Sequence, residues 1–176
     1  MSLSIPVGKD DHAAGPEDAP VTLVEYGDYQ CPACGAAYPM VKAIQKRLGA
    51  KLRFVFRNMP LNEIHPYAEL AAEAAEAAGA QGRFWDMHDA LYEHQDQLGP
   101  DLATILAKRL HLDVARFEQD LASRRFRERV KRDFLGGARS GVNGTPTFFV
   151  DGLRYDGTLD ERSLEAALRQ RIAERA

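Results

Sequence analysis

The alternation of apolar and polar residues over the first third of the chain predicts a strand, a helix and a second strand. Residues 21–29 are largely apolar on both faces of an extended chain, as in a central strand covered on both sides. Residues 35–48 carry apolar side chains at helical spacing, with Gly49 as a predicted C-cap. Residues 52–57 alternate again, which predicts a strand with one wetter face. This order implies a parallel strand pair joined by a right-handed crossover.

The segment from residue 62 to residue 140 contains no convincing strand, and its apolar residues recur at helical spacing. Such stripes predict packed amphipathic helices rather than a cofactor site. The five stripes cover residues 68–78, 84–91, 102–110, 114–121 and 126–134. Basic residues between Arg124 and Arg132 raise nucleic-acid binding as an alternative. Because Phe126 and Val130 interrupt them at core spacing, we expect a solvated helix face instead.

The end of the chain predicts a hairpin followed by a helix. Strand residues 147–150 precede Asp151-Gly152, a strong two-residue turn signal, and residues 153–155 are expected to pair back. Residues 158–161, Thr-Leu-Asp-Glu, match a capping-box pattern. The apolar stripe of residues 164–172 then predicts the last helix.

These elements divide the chain into an arm and two domains. Residues 1–20 are rich in Gly, Pro, Asp and Ala, which predicts an irregular N-terminal arm. Residues 21–61 and 141–176 are expected to form one domain, into which residues 62–140 are inserted as a helical domain. A length of 176 residues allows one sizeable core with an added lobe. The net charge of −3 and the lack of a membrane-spanning apolar run predict neither nucleic-acid binding nor membrane insertion.

The two cysteines, Cys31 and Cys34, stand where the first predicted strand gives way to the first predicted helix. The reactive form of a cysteine is the thiolate, which a helix N-terminus stabilises through its partial positive charge and its N–H groups. We therefore expect a lowered pKa and a solvent-facing sulfur for Cys31. Cys34 should be shielded and should resolve the mixed disulfide. Pro32 suits a first helical turn, and Ala33 adds neither charge nor donor, which predicts a moderate redox potential.

Two alternatives for the cysteine pair are half of a zinc site and a structural disulfide. Structural zinc usually needs four ligands, and only the five histidines could complete the set. His88 and His94 lie outside the usual finger spacing, so no metal is expected. His88 also falls on an apolar stripe, where a satisfied, partly buried histidine is expected. A disulfide across so short a loop stabilises little through chain entropy.

Three motifs occur in an order that points beyond the cysteine pair alone. They are residues 28–34 (Asp-Tyr-Gln-Cys-Pro-Ala-Cys), residues 84–88 (Phe-Trp-Asp-Met-His) and residues 141–150. Together they resemble the thioredoxin-fold disulfide oxidoreductases, and more closely the DsbA-like family, over the chain from about Val21 to its end. The resemblance implies an α/β, thioredoxin-like fold with a central mixed β-sheet and an inserted helical domain.

The resemblance also implies a substrate-binding surface. Pro146 would be a cis proline whose loop faces the cysteine pair, although a strand-opening proline is the alternative. The backbone at Thr145 would pair with an extended substrate segment. Pro32 and Ala33, between the two cysteines, would contact the substrate as well. The founding member of the family has a histidine at the position of Ala33, so a strongly oxidising role is not expected.

Two acidic residues precede the cysteines. Glu25 would match a buried carboxylate beneath the pair, where burial raises a carboxyl pKa and would let it move the proton of Cys34. A partly exposed glutamate or a salt bridge is the alternative. Asp28 is expected nearer the surface, as a local turn or cap.

The resulting prediction is a thiol–disulfide oxidoreductase that acts on protein or peptide thiols. It would need no cofactor beyond the Cys31–Cys34 pair, but it would need a redox partner that reoxidises or reduces the pair. The alternative is a non-catalytic redox-sensing or partner-binding module with the same fold. Residues 1–20 do not match a signal peptide, which predicts a cytoplasmic protein. A periplasmic or other extracytoplasmic location is the alternative if an export signal has been removed.

Overall fold

Five strands and seven α-helices make up the fold in a computed structural model that describes all 176 residues. The strands are β1 (His12–Ala14), β2 (Val21–Gly27), β3 (Leu52–Asn58), β4 (Thr147–Val150) and β5 (Leu153–Arg154). The helices are α1 (Pro32–Leu48), α2 (Ala68–Gly79), α3 (Phe84–Glu93), α4 (Leu102–Arg109), α5 (Val114–Ala122), α6 (Arg127–Arg139) and α7 (Glu161–Glu174). None of these helices is long and apolar enough to cross a membrane.

The chain divides into two compact units. Unit 1 comprises residues 1–27, 36–57 and 135–176, and unit 2 comprises residues 28–35 and 58–134. The domain boundaries expected from the sequence, with residues 62–140 as an insertion, stay a prediction.

Unit 1 is built on a mixed five-stranded sheet with the strand order β1-β3-β2-β4-β5. β2 and β3, the two strands joined through α1, are neighbours as predicted. β4 lies antiparallel to β2, and β5 lies antiparallel to β4. The predicted α/β fold with a central mixed sheet is therefore confirmed.

The apolar residues of β2 and β4 form the core of this unit, since both faces of these strands are buried. Leu23, Val24, Phe148 and Phe149 are almost completely removed from water. α7 packs against β2, and its apolar stripe is buried at Leu164 and Leu168. Each fully buried side chain of this size contributes roughly 1.5–3 kcal/mol to the free energy of folding. The burial of these apolar residues on both faces therefore accounts for the central position of the two strands.

The predicted hairpin forms with the expected turn. Asp151 and Gly152 have φ values of +48° and +81°, the left-handed conformation that a type I′ turn requires at both central residues. β5 is shorter than predicted, but the N–H of Tyr155 still donates to the carbonyl of Phe148 at 2.9 Å.

The expectation of an irregular arm is wrong for residues 12–14, which form β1. His12 lies opposite Phe56 in an antiparallel pair with β3. Alternation over three residues is too short a signal to predict a strand. The pairing is supported instead by a contact far away in sequence, between Asp11 and Arg57.

Arg57 also corrects the expectation of a wetter face on β3, because it is buried. Its guanidinium donates to both carboxylate oxygens of Asp11 at 2.8 and 2.9 Å and to the hydroxyl of Tyr26 at 3.0 Å. It also donates to the carbonyls of Ile5 and Pro6. Burial acts to lower the pKa of Arg57, but these acceptors outweigh burial and raise the pKa above its ordinary value. One side chain thus fastens the N-terminal arm to β3.

The cap of α7 lies two residues later than predicted. Asp160, not Thr158, is the N-cap, and its carboxylate accepts the N–H of Ser163 at 2.8 Å. Asp is a strong N-cap residue. A helix that starts after Asp160, rather than after Thr158, fits the position of its first buried residue, Leu164.

Of the five helices predicted between the strands, unit 2 contains α2 to α5 and α6 as far as Phe134, and α2 packs on α3, α4 and α5. Asp113 caps α5 by accepting the N–H of Arg116 at 3.1 Å, as expected for a helix start at this residue. The stripes are buried at Met87, Leu106 and Phe117, whereas Ile105 remains exposed.

Side chains of arginine and asparagine donate hydrogen bonds to the buried acidic residues of unit 2. Arg124 and Arg125 have exposed side chains, as expected for a solvated basic face. Arg124 nevertheless donates to the buried carboxylate of Glu73 at 2.7 Å. Deeper in the unit, the side chain of Asn58 donates to Glu76 at 2.9 Å and to Asp133 at 3.1 Å.

Candidate active site

The two cysteines lie at the beginning of α1. The helix begins at Pro32, three residues earlier than the apolar pattern predicts, so Cys31 occupies the N-cap position and Cys34 lies in the first turn. The N–H of Gly35 donates to the carbonyl of Cys31 at 3.0 Å. A side chain at the N-cap is placed to accept N–H groups of the first turn, which is the geometry that favours a thiolate at Cys31.

The two cysteines differ in exposure. Cys34 is fully buried, as predicted, and Cys31 keeps 6% of its surface. Cys31 is therefore less open to solvent than expected, although it remains the more exposed of the two. Pro32 and Ala33, between them, are exposed.

Asp28 is more deeply buried than expected, but it has the expected role of a local cap. It was expected near the surface, but its side chain is completely buried. It does act as a local cap, because its Oδ1 atom accepts the N–H groups of Gln30 at 2.8 Å and of Cys31 at 3.2 Å. The N–H of Cys31 also donates to the carbonyl of Asp28 at 3.1 Å. The backbone of the candidate nucleophile is thus fixed by the residue three positions before it.

The other oxygen of Asp28 reaches a distant segment of unit 2. Its Oδ2 atom accepts the N–H of Leu61 at 2.9 Å and lies 2.7 Å from Nδ1 of His65. The sequence predicted the role of Asp28 as a local turn or cap, and its hydrogen bonds to Gln30 and Cys31 confirm it. No signal in the sequence links Asp28 to His65, since the two are 37 positions apart.

Gln95 is a second residue that the sequence does not indicate. Its Nε2 atom donates to the carbonyls of Tyr29 at 2.9 Å and of Cys31 at 2.8 Å. A Cβ added to Gly35 would lie only 2.2 Å from Oε1 of Gln95. The absence of a side chain at Gly35 is what allows the amide of Gln95 to approach the turn.

The environment of His88 agrees with the expectation of a buried histidine whose ring is hydrogen-bonded. The residue is buried, and its Nδ1 atom lies 2.9 Å from the hydroxyl of Tyr29. The rings of Phe84, Trp85 and Tyr92 surround it. Across the chain, no group of three His, Cys, Asp or Glu side chains could hold a metal ion.

In unit 1, the Thr145–Pro146 peptide bond is cis, as the family resemblance implied. The loop that contains it leads directly into β4. The hydroxyl of Thr147 donates to the carbonyl of Gly144 at 2.7 Å. Thr147 itself lies opposite Tyr26 of β2 in the sheet.

Glu25 lies on β2 of unit 1 and is buried, so the alternative of a partly exposed glutamate is wrong. It pairs across the sheet with Phe148, two residues after Pro146. A Cβ on Gly27 would lie 3.1 Å from Oε1 of Glu25 and 2.5 Å from the ring of Phe56. The fold thus brings Glu25 close to the proline loop within unit 1. Cys31, Pro32, Ala33 and Cys34 come together within unit 2. The roles of all these residues stay predictions.

Curated relatives of the chain carry the names of Na⁺/H⁺ antiporters. The chain is 48% identical over 174 residues to the Na⁺/H⁺ antiporter NhaA 1 of Salinispora arenicola, covering 98% of this chain and 26% of the antiporter. It is 42% identical to the Na⁺/H⁺ antiporter NhaA of Herminiimonas arsenicoxydans, covering 96% of this chain and 27% of that protein. The chain therefore spans about a quarter of the length of these relatives.

Solved structures similar to the chain cover nearly all of it. BdbD from Bacillus subtilis, in its oxidised form, is 27% identical, with 92% of each chain covered and a TM-score of 0.83. A thioredoxin-like oxidoreductase from Silicibacter pomeroyi is 25% identical, with coverage of 96% and 95% and a TM-score of 0.79. Wolbachia pipientis alpha-DsbA1, at 18% identity and a TM-score of 0.84, shows the same fold.

A family model described as Thioredoxin matches residues 8–170. This match includes both cysteines and the cis-proline loop. Together with the similar structures, it shows that the chain belongs to the thioredoxin family as a DsbA-like member of the superfamily.

Proposed function

We propose that the protein is a thiol–disulfide oxidoreductase that exchanges disulfides with thiols of proteins or peptides. The observation that carries the proposal is the placement of Cys31 at the N-cap of α1, with Cys34 buried in the first turn. The similar structures from Bacillus subtilis and Silicibacter pomeroyi support the same class of protein. No cofactor is needed beyond the cysteine pair.

The chemistry follows from the unequal positions of the two sulfurs. The Cys31 thiolate attacks a client disulfide, a mixed disulfide forms, and one client sulfur leaves as a thiolate. Cys34 then loses its proton and attacks the sulfur of Cys31. This step releases the second client thiolate and forms the Cys31–Cys34 disulfide. Two electrons pass from the pair to the client, and a redox partner restores the pair. Oxidation of a client dithiol is the reverse sequence.

The remaining roles are carried over from the family resemblance. Glu25 is proposed to accept the proton of Cys34, and its burial on β2 fits a group that exchanges protons away from bulk water. The backbone at Thr145, with Pro146, is proposed to pair with an extended client segment. Pro32 and Ala33 are proposed to contact the client next to the attacked disulfide, and both are exposed.

The direction of exchange follows from the compartment. If the protein is cytoplasmic, the reducing thiol pool favours disulfide reduction. In an extracytoplasmic space the same pair would oxidise its clients.

The test is exchange activity in both directions. Purified protein should reduce insulin with dithiothreitol as electron donor, or oxidise a dithiol peptide with glutathione disulfide as acceptor. Cys31→Ala should fall to the uncatalysed rate in both assays, because the one remaining thiol, that of Cys34, is fully buried. A parent protein without activity in either assay, or a Cys31→Ala variant equal to the parent, would contradict the proposal.

A redox-sensing or partner-binding module is the second candidate, and the curated relatives favour it. Their names are those of Na⁺/H⁺ antiporters, and this chain corresponds to about a quarter of their length. In such a module the oxidation state of Cys31 and Cys34 would change a binding surface without turnover. A Cys34→Ala variant separates the candidates, because it cannot resolve mixed disulfides. Many trapped client proteins indicate an enzyme, whereas one trapped partner, or none, indicates a module.

A further inference from the structure

The carboxyl group of Asp28 is a charged group that accepts a hydrogen bond from the backbone of Cys31. Its side chain is fully buried, and its Oδ1 atom lies 3.2 Å from the backbone nitrogen of Cys31. A buried negative charge acts strongly on a neighbouring ionisable group, because little water screens it. Asp28 therefore opposes the thiolate of Cys31, whereas the N-terminus of α1 favours it.

His65 modifies this effect because it is the ionisable partner of Asp28. Its Nδ1 atom lies 2.7 Å from Oδ2 of Asp28, and its side chain is 15% exposed. An imidazolium at this position would neutralise the carboxylate and relieve the thiolate of Cys31. A neutral group at position 65 would leave the charge of Asp28 unopposed.

A cap alone does not require a charge at this position. Serine, threonine and asparagine side chains also accept backbone N–H groups in turns, and burying a carboxylate has a large desolvation cost. Asp28 offsets that cost with donors from three backbone N–H groups, those of Gln30, Cys31 and Leu61. Such donors suit the ionised carboxylate, which is an acceptor only. The fold thus places a carboxylate, with both of its oxygens accepting hydrogen bonds, beside the candidate nucleophile.

We propose that Asp28 and His65 are positioning residues that set the acidity of Cys31 and, through it, the redox balance of the pair. Asp28 makes Cys31 less acidic than the helix N-terminus alone would make it, and His65 limits that effect. This inference rests on the proposed thiol–disulfide exchange and adds what tunes it. Tyr29 and His88, which are hydrogen-bonded to each other, are also titratable groups at this turn, as is the buried thiol of Cys34.

Two substitutions should move Cys31 in opposite directions. Asp28→Asn removes the anion, so the midpoint pH of thiolate formation should fall by about one unit, a tenfold change. His65→Gln keeps a side-chain donor for Asp28 but removes the ionisable ring, so the midpoint should rise. Thiolate absorbance at 240 nm, and the alkylation rate of Cys31 against pH, measure the midpoint on the protein alone.

The equilibrium with glutathione gives a second readout. A stabilised thiolate favours the dithiol form, so Asp28→Asn should be more oxidising by about tenfold in the equilibrium constant, or about 30 mV. His65→Gln should be more reducing. Asp120→Asn is the matched control, because Asp120 is another buried acid of unit 2 and is bonded to Arg125 rather than to the cysteine turn. It should leave the midpoint and the potential unchanged.

Shifts of the same sign in the two variants would show a merely structural role and overturn the proposal. An Asp28→Asn midpoint equal to that of Asp120→Asn would overturn the role of Asp28. An unchanged midpoint in His65→Gln would overturn that of His65. If Asp28→Asn does not fold, His65→Gln still decides the sign. A parent without exchange activity whose midpoints nevertheless move as expected would contradict the proposed function and leave the electrostatic role standing.

Discussion

The cysteine turn of unit 2 and the proline loop of unit 1 are fixed in different ways. Side chains hold the cysteine turn, because Asp28 binds the N–H of Cys31 and Gln95 binds its carbonyl. The proline loop leads instead into β4, whose backbone pairs with β2 from Thr147 onward. Side-chain hydrogen bonds from Thr147 to Gly144 and from Arg154 to Gly141 add to the support of that loop.

This difference predicts unequal tolerance to substitution. A strand ladder uses groups that nearly every residue possesses, so it survives most changes of side chain. Each side-chain support of the cysteine turn, by contrast, can be lost through a single substitution. Gln95 is 64 positions from Cys31, so the support also depends on the correct folding of unit 2.

The largest expected effect comes from adding a methyl group to a glycine in each region. Alanine usually stabilises a helix relative to glycine by about 1 kcal/mol, yet Gly35→Ala should destabilise the protein. Its Cβ would meet Oε1 of Gln95 at 2.2 Å, which would displace the two hydrogen bonds of that amide. We expect a net loss of about 1 kcal/mol in the free energy of unfolding, because the flexible amide of Gln95 can move aside but loses its hydrogen bonds.

Gly144→Ala is the control for this change, because nothing lies within 4 Å of a Cβ added there. It should change the unfolding free energy by less than about 0.5 kcal/mol. Urea unfolding measures both variants. Equal effects of the two substitutions would remove the contrast between the regions.

An effect of similar size is expected when Gln95 itself is shortened. Gln95→Ala removes the donors to Tyr29 and Cys31, although the carbonyl of Cys31 keeps the N–H of Gly35 as a donor. The unfolding free energy should fall by about 1 kcal/mol, and exchange by Cys31 should slow. Gln97→Ala, at an exposed position of the same loop, should match the parent. A Gln95→Ala variant as stable and active as Gln97→Ala would show that the contact is dispensable.

The proline loop should respond more weakly than the cysteine turn. Thr147→Val removes the hydrogen bond to Gly144 but preserves the shape of the side chain and the β4 ladder. We expect a loss of about 0.5–1 kcal/mol in unfolding free energy. Thr158→Val, at an exposed position, is the control. A loss larger than that of Gln95→Ala would reverse the ranking.

The smallest effects concern pH, and here the two units should differ in sign. In unit 2, burial raises the pKa of Asp133, although Arg129 and Asn58 oppose the shift. The folded state then binds the proton more tightly than the unfolded state. The contribution of Asp133 to stability is therefore lost as the pH rises above the ordinary carboxyl pKa and through the folded pKa.

In unit 1, hydrogen bonds from Ser163 lower the pKa of Asp160. Its contribution is present above the ordinary pKa and is lost as the pH falls through the folded pKa. Urea unfolding from about pH 3 to pH 6, with Asp133→Asn and Asp160→Asn each subtracted from the parent, should give differences of opposite slope. Slopes of the same sign would contradict the assignment of the two shifts.

Local patterns predicted most of the secondary structure. Helical spacing identified α2 to α6, because an amphipathic helix repeats its signal over several turns. The Asp-Gly turn identified the hairpin, since few residues tolerate φ > 0 at both central positions. The cysteine pair was evident from spacing, whereas the cis proline was implied only by the family resemblance.

The features that were missed depend on contacts between distant residues. β1 is too short for a periodic signal and is supported by the pairing of Asp11 with Arg57. Asp28 appeared to be a surface cap, because nothing in its neighbourhood indicated Leu61 and His65 as partners. Gln95 lies in a polar stretch after α3 that no motif distinguishes. Such long-range hydrogen bonds lie beyond a pattern-based prediction.

The exposure of Pro32 and Ala33 has a practical consequence for anyone who wishes to redesign the protein. Both side chains leave the helix toward water, so they can be exchanged in a combinatorial library without disturbing the hydrophobic interior. Gly35, only two residues further on, admits no such freedom. Directed evolution of this protein as a redox reagent would therefore begin at positions 32 and 33 and would leave position 35 untouched.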